Sequence, residues 1–310
     1  GREMHEVKEI AGGLRFPEGP VAMPDGSVIV VETEAGRITR CWGEGRKEIV
    51  ATPGGGPNGL ALGPDGMLFL CNNGGFEYLE VQGLLVPHGA AKDWNGGSIQ
   101  RIDPDTGKVW TLYTHAGEVQ LRGPNDIVFD DQGGFWFTDH GKTFARSRDV
   151  VGVFYARADG SHIEEAVFPM ENPNGIGLSP DGKRLYVAET YTAKLWAFDI
   201  EAPGKLAKGE SLTGTGARFV DGAGGYSWFD SLGVDSAGNV CVATIGNGGI
   251  SVISPQGELV EFVPTGDPFT TNICWGGPEL RTAYITLSGT GRLVAMDWPR
   301  PGLALHNLNR

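Results

Sequence analysis

Apolar residues in this chain come in short runs, each cut by a turn-forming triplet, and the same order recurs six times. The copies are FPEGPVAMPDGSVIVVET from Phe16, GPNGLALGPDGMLFLCNN from Gly56, GPNDIVFDDQGGFWFTDH from Gly123, NPNGIGLSPDGKRLYVAET from Asn172, WFDSLGVDSAGNVCVATI from Trp228 and TTNICWGGPELRTAYITLS from Thr270. Each copy predicts a strand, a tight turn and a second strand, because Asp-Gly and its relatives supply the positive φ that a short hairpin needs. Further strand-like runs lie between the copies: RITRCW, GSIQRID with KVWTLY, GVFYARA, KLWAFDI, GISVISP with LVEFV, and RLVAMDW. No long segment of helical period interrupts them.

Six repeats with room for four short strands each predict an all-β fold, a six-bladed β-propeller with four-stranded blades around a central channel. No interior linker is apparent, so residues 1–310 are expected to form a single domain. The longest departure from the repeat runs from Asn72 to Gly97 and carries Phe76, Tyr78, His88 and Trp94 among glycines. It is expected to lie over one end of the channel as a partial lid, the alternative being an excursion into solvent.

Composition narrows the functional classes. Fifty glycines and 19 prolines in 310 residues fit many tight turns, while 40% hydrophobic and 20% charged residues fit a globular chain. A net charge of −13 opposes nucleic-acid binding, which rests on basic side chains neutralising phosphates. No apolar run approaches the roughly 18 residues of a spanning helix, so no membrane partner is expected. The first residues, GREMHEVKE, contain no apolar leader. A cytoplasmic location is therefore expected, with a removed leader left open. Cys41, Cys71, Cys241 and Cys274 form no CxxC pair, and three lie in apolar runs, as buried reduced thiols do.

The repeat also aligns six polar side chains: Glu18, Asn58, Asn125, Asn174, Asp230 and Asn272. In a propeller the first strand of each blade lines the channel, so these positions converge on one end of it. Fold geometry would accept Gly, Ser or an apolar residue there. A ring of oxygen donors with net negative charge instead suits a hard divalent cation, which relieves carboxylate repulsion. An Asn that only caps a turn is the alternative for any one member.

FPEGP near the start, PNG and PND before strands, DSLGVDSAGNV late and NICWGGPEL near the end resemble the gluconolactonase, regucalcin (senescence marker protein) and luciferin-regenerating-enzyme family, from about Phe16 to Trp298. The resemblance implies a six-bladed propeller with one metal in its tunnel and hydrolysis of a lactone. It implies Glu18, Asn174 and Asp230 as metal ligands, with Asn125 binding metal or substrate. Asp230 takes the role of general base, and Asp126 is a second candidate acid. Ca²⁺ is favoured, with Mg²⁺, Mn²⁺, Zn²⁺ and Fe²⁺ as alternatives. Members acting on sugar lactones often carry an Arg two residues before the Asn of Asn-Asp. Here Gly123 holds that place and Arg122 precedes it. Ser231 stands where many relatives have Gly.

Arg122, Asn58, Asn125, Asn272 and His140 are the candidate substrate-binding residues. The expected partner is a small lactone or ester, and the expected state a monomer or weak homo-oligomer. Serine chemistry is disfavoured, since GxSxG is absent and no α/β pattern supports an elbow. Three alternatives stand beside the lactonase: a phosphotriesterase on the same metal site, a non-catalytic binding propeller, and a metal-free synthase or lyase.

Overall fold

Each turn-forming triplet reverses the chain where the pattern places it. In the first and fourth copies Gly26 and Gly182 close the turn at φ of 88° and 71°, values that an L side chain rarely adopts. The computed structural model describes residues 6–213 and 227–310. Within them the regular structure is β-strand, apart from one 3₁₀ turn at Pro64–Gly66. No helix of the described residues is long and apolar enough to cross a membrane.

Six four-stranded antiparallel sheets form the blades of a propeller. Their innermost strands are Pro17–Ala22, Pro57–Leu62, Pro124–Phe129, Pro173–Leu178, Trp228–Val234 and Thr270–Gly276, blades 1 to 6 in that order. The intervening runs named from sequence form the third and fourth strands of their blades. Blade 6 takes its outermost strand, Lys8–Ala11, from the other end of the chain, with Lys8 opposite Ala295. Four residues carry too little pattern for that pairing to be read from sequence.

The core lies between blades. Six apolar clusters each join two neighbouring blades, and the sixth joins blade 6 to blade 1 through Ala11, Leu14, Ala22 and Leu293. Aromatic residues fill the gap between blades 2 and 3, where Phe69, Phe129 and Phe135 meet at centroid distances of 5.0 to 5.8 Å. Cys41, Cys71, Cys241 and Cys274 are free, and all but Cys274 are fully buried.

The stretch from Asn72 to Gly97 is not irregular. It folds into a separate hairpin, Phe76–Val81 with Leu84–Ala90, inserted between the second and third strands of blade 2.

All six innermost strands share one irregularity. Pairing with the second strand lapses beside the aligned polar residue, between Glu18 and Val21, Pro57 and Leu60, Pro124 and Ile127, Pro173 and Ile176, Phe229 and Leu232, and Thr270 and Asn272. Such bulges re-aim side chains and recur next to active sites. The neighbouring glycines explain the recurrent Asn-Gly: a Cβ on Gly19 would stand 2.4 Å from the Asn58 carbonyl oxygen, and one on Gly59 2.3 Å from that of Asn125. Adjacent inner strands therefore approach closely only because these positions lack a side chain.

Candidate functional site

Of the polar residues at the six bulges, Glu18, Asn58, Asn125, Asn174 and Asn272 are between 3% and 6% exposed and Asp230 is half-buried. Five of them, Glu18, Asn58, Asn125, Asn174 and Asp230, line one cavity of about 200 Å³ together with His140. Asn272 and Asp126 instead border a second, mostly aliphatic chamber of about 110 Å³, which Leu303, Leu305, Leu308 and Arg310 also line. Asn272 is nevertheless tied to the first set, since its Nδ2 donates to Glu18 Oε1 at 2.7 Å.

A second polar set, which the sequence reading did not single out, holds the loops that deliver these residues. Glu32 accepts from the Arg15 backbone N–H, Asn72 from Gly56, Asp139 from Arg122 and Gly123, and Glu189 from Glu171. Each acceptor ends the second strand of its blade and grips the loop entering the first strand of the same blade. The signal was present in the aligned endings VVET, LCNN, FTDH and VAET. Phe16, two residues before Glu18, is held at φ 59°, which is costly for a bulky residue, about 1–3 kcal/mol.

The acids are electrostatically frustrated. Burial, then the charge of Asp230, pushes the Glu18 carboxyl well above the usual range. Burial raises Asp230 to about 7, partly offset by the Ser231 backbone N–H, which donates to its Oδ1 at 2.9 Å. It raises Asp126 to about 7 as well, with Asp230 adding to the effect. Without a cation such a cluster retains protons.

Two amide oxygens complete the picture. Asn125 Oδ1 is buried and has no hydrogen-bond partner. Asn174 Nδ2 donates to Thr190 Oγ1 at 3.2 Å, while its Oδ1 has a long 3.4 Å contact from Ser231 Oγ. Among the described residues no three His, Cys, Asp or Glu side chains are grouped so as to hold a metal by themselves. Any cation here therefore draws on the amides as well as the acids. Two carboxyls forced above their normal range beside an unpaired amide oxygen fit a hard, oxygen-liganded divalent ion.

His140 lines the same cavity, 6.2 Å from the Tyr191 ring by centroid. Burial lowers it to about 4, so its imidazole is neutral, and Nδ1 is buried without a partner. Arg122 is placed elsewhere. Its Nε and Nη2 both contact the Asp149 carboxylate at 3.1 Å, its guanidinium lies 4.5 Å from the Trp94 ring centroid, and it does not line the cavity. Thr33, Thr190, Tyr191, Trp228 and Phe269 line it too, Thr33 and Thr190 as the last residues of the aligned endings VVET and VAET.

A family model described as SMP-30/Gluconolactonase/LRE-like region matches residues 16–289. The chain belongs to this family. Within the SMP-30/gluconolactonase/LRE-like family, it is 24% identical over 306 residues to a gluconolactonase of Zymomonas mobilis, a match covering 91% of this chain and 79% of that protein. It is 29% identical over 204 residues to lactonase drp35 of Staphylococcus saprophyticus, covering 66% of this chain and 55% of the relative. Among solved structures, a gluconolactonase from Xanthomonas campestris superposes with a TM-score of 0.72 at 21% identity, covering 95% and 90% of the two chains. A calcium-binding regucalcin from Agrobacterium tumefaciens gives 0.74 at 16% identity, covering 99% and 98%. At these identities the two structural likenesses speak for the fold.

Proposed function

We propose that the protein is a metal-dependent lactonase, with its reaction centre at the end of the channel where Glu18, Asn125, Asn174 and Asp230 meet. The observation carrying this reading is the buried Glu18 and Asp230 pair beside the partnerless Oδ1 of Asn125. Family membership and relatives named gluconolactonase and lactonase supply the reaction class.

Glu18, Asn174, Asp230 and Asn125 would hold the divalent cation, and Ca²⁺ suits such an oxygen set. When bound, a cation of this kind polarises a carbonyl oxygen and stabilises negative charge developing on it. The chain's own groups do the rest. Asp230 takes a proton from water as the water oxygen attacks the lactone carbonyl carbon. The ring C–O bond then breaks, and the alcohol oxygen takes up the proton that Asp230 accepted from the water. Asp126, close enough to feel the Asp230 charge, is the neighbouring proton store. Asn58 and His140 face the same cavity and orient the substrate. Asn272 acts through Glu18.

The cavity walls shape the substrate. Phe16, Phe76, Val86, Trp228, Ile245 and Phe269 contribute apolar surface, and no Lys or Arg of the described residues lines it. A neutral lactone with an apolar face fits these walls better than an anionic ester.

The test is a panel of δ-gluconolactone, an aryl lactone and an aryl phosphotriester, assayed before and after chelation and after adding back single metals. Hydrolysis of a lactone that disappears on chelation and returns with a divalent ion is expected. A chelated protein with undiminished activity points to the metal-free alternative, and turnover of the phosphotriester alone points to phosphoryl chemistry. Bound metal with no turnover of any substrate overturns the enzymatic reading.

A further inference from the structure

Lys142 is a buried cation that the chemistry above does not use. It is 1% exposed, and its Nζ donates to the Gly75 carbonyl at 2.8 Å and to Asn73 Oδ1 at 3.1 Å. The same ammonium lies 3.6 Å from the centroid of the Phe76 ring. Asp139 and Asp149 act on it through space, and burial pulls it down to about 7. Keeping an ammonium out of water is costly unless its partners are fixed. Here every direct partner belongs to the root of the inserted hairpin.

The other end of the insertion is fastened to the same place. The Lys142 backbone is clamped to Asp149, with Lys142 N–H donating to Oδ2 at 2.8 Å and Asp149 N–H returning to the Lys142 carbonyl at 3.0 Å. The Asp149 carboxylate also holds Arg122, which stacks on Trp94 and whose carbonyl accepts from Trp94 Nε1 at 3.0 Å. Residues 73–76 and Trp94 are thus pinned to one loop of blade 3. Between them Phe76, Val86, Pro87 and Gly89 form one side of the cavity.

We propose that Lys142 is a positioning residue for substrate: its ammonium seats the inserted hairpin on blade 3 and holds Phe76 in the cavity wall. Catalytic groups and cation ligands lie beyond its contacts, so its effect falls on substrate binding. The kinetic part of this inference rests on the lactonase reading, whereas the seating of the hairpin does not.

Two variants test it. Lys142→Met keeps the length and removes the charge. Asn73→Asp places a carboxylate against the ammonium while retaining the oxygen that accepts from Lys142 and Gly75, and it removes Asn73 Nδ2, which is buried without a partner. Hydrogen exchange of the hairpin amides is measured in both, alongside lactone kinetics and metal content. In Lys142→Met the amides of residues 76–90 should exchange about tenfold faster or more, with the blade strands unchanged. KM should rise roughly three- to tenfold, with kcat within about twofold and metal content unaltered. In Asn73→Asp the hairpin should exchange more slowly than in the wild type.

Unchanged hairpin exchange in Lys142→Met overturns the proposal, as does a loss in kcat with KM unmoved. Should that variant not fold, hairpin amides in Asn73→Asp that exchange no slower than in the wild type overturn it. Wild-type protein that hydrolyses no lactone removes the proposed function, and the exchange data then decide the seating alone.

Discussion

Asn272 Nδ2 donates to Glu18 Oε1 across 2.7 Å, joining residues 254 positions apart in the chain. The bond fixes one carboxylate oxygen of a candidate ligand from the neighbouring blade. It also links the last blade to the first at the channel, as the Lys8–Ala11 strand does at the rim. Asn272→Leu should therefore weaken the bound cation without removing it. An outer partner of a metal ligand is worth about 10–100-fold in affinity, which a metal titration monitored by calorimetry would read. Glu18→Gln should cost more than that, because a ligand charge is lost. Equal affinities in the two variants and the wild type would exclude Glu18 from the donor set.

The raised acids give a pH dependence with a defined sign. Glu18, Asp126 and Asp230 keep protons in the folded protein at pH values where the unfolded chain has released them. Stability of the chelated protein should fall as pH rises from about 4 towards about 7, where the folded state binds more protons than the unfolded. Cation binding needs the ionised forms, so stabilisation by metal should grow over the same window. The melting temperatures of chelated and metal-loaded protein should diverge between about pH 5 and about pH 7.5. A gap that stays constant with pH would contradict the assignment of Glu18 and Asp230 to the cation.

Trp228 packs edge-on against Tyr191 at a centroid distance of 5.0 Å, and both rings line the cavity. Trp228→Ala should lower kcat/KM for an aryl lactone by about tenfold or more, given roughly 1.5–3 kcal/mol for burying an apolar side chain. The loss on δ-gluconolactone should be smaller. Parallel losses on both substrates would mean that the wall does not select.

Removing the chain through Ala11 takes the outer strand from blade 6 and leaves Arg292–Asp297 as an open edge. At about 1 kcal/mol for each ladder hydrogen bond lost, stability should fall by a few kcal/mol. Urea denaturation would read this as a lower midpoint. An unchanged midpoint would mean that the closure contributes nothing to stability.

The six inner strands and their turns were legible because each carries its own local signal: an apolar run, a turn triplet and a polar residue at a fixed offset. Glu18, Asn58, Asn125, Asn174 and Asp230 were legible as a set for the same reason, since sixfold repetition turns one position into a ring. Arg122 was not. Sequence distance from Asn125 placed it beside the substrate, but Asp149 and Trp94 compete for its guanidinium, and neither is near it in the chain. The hairpin at Phe76–Ala90 was visible as an interruption, while its contact with Lys142 and its share of the cavity wall join groups far apart in the chain. The acceptors Glu32, Asp139 and Glu189 aligned in the repeat but looked like ordinary strand ends.

Local sequence fixes the repeat, the inner hairpin of each blade and the identity of the residue presented at each bulge, because strand period and turn chemistry act over a few residues. Tertiary structure decided which of those residues share a cavity, which hydrogen bonds leave Asn125 Oδ1 unpaired, and how far burial raises Glu18 and Asp230. Those properties arise from groups brought together across blades, where loss of water and mutual repulsion depend on distance in space rather than along the chain.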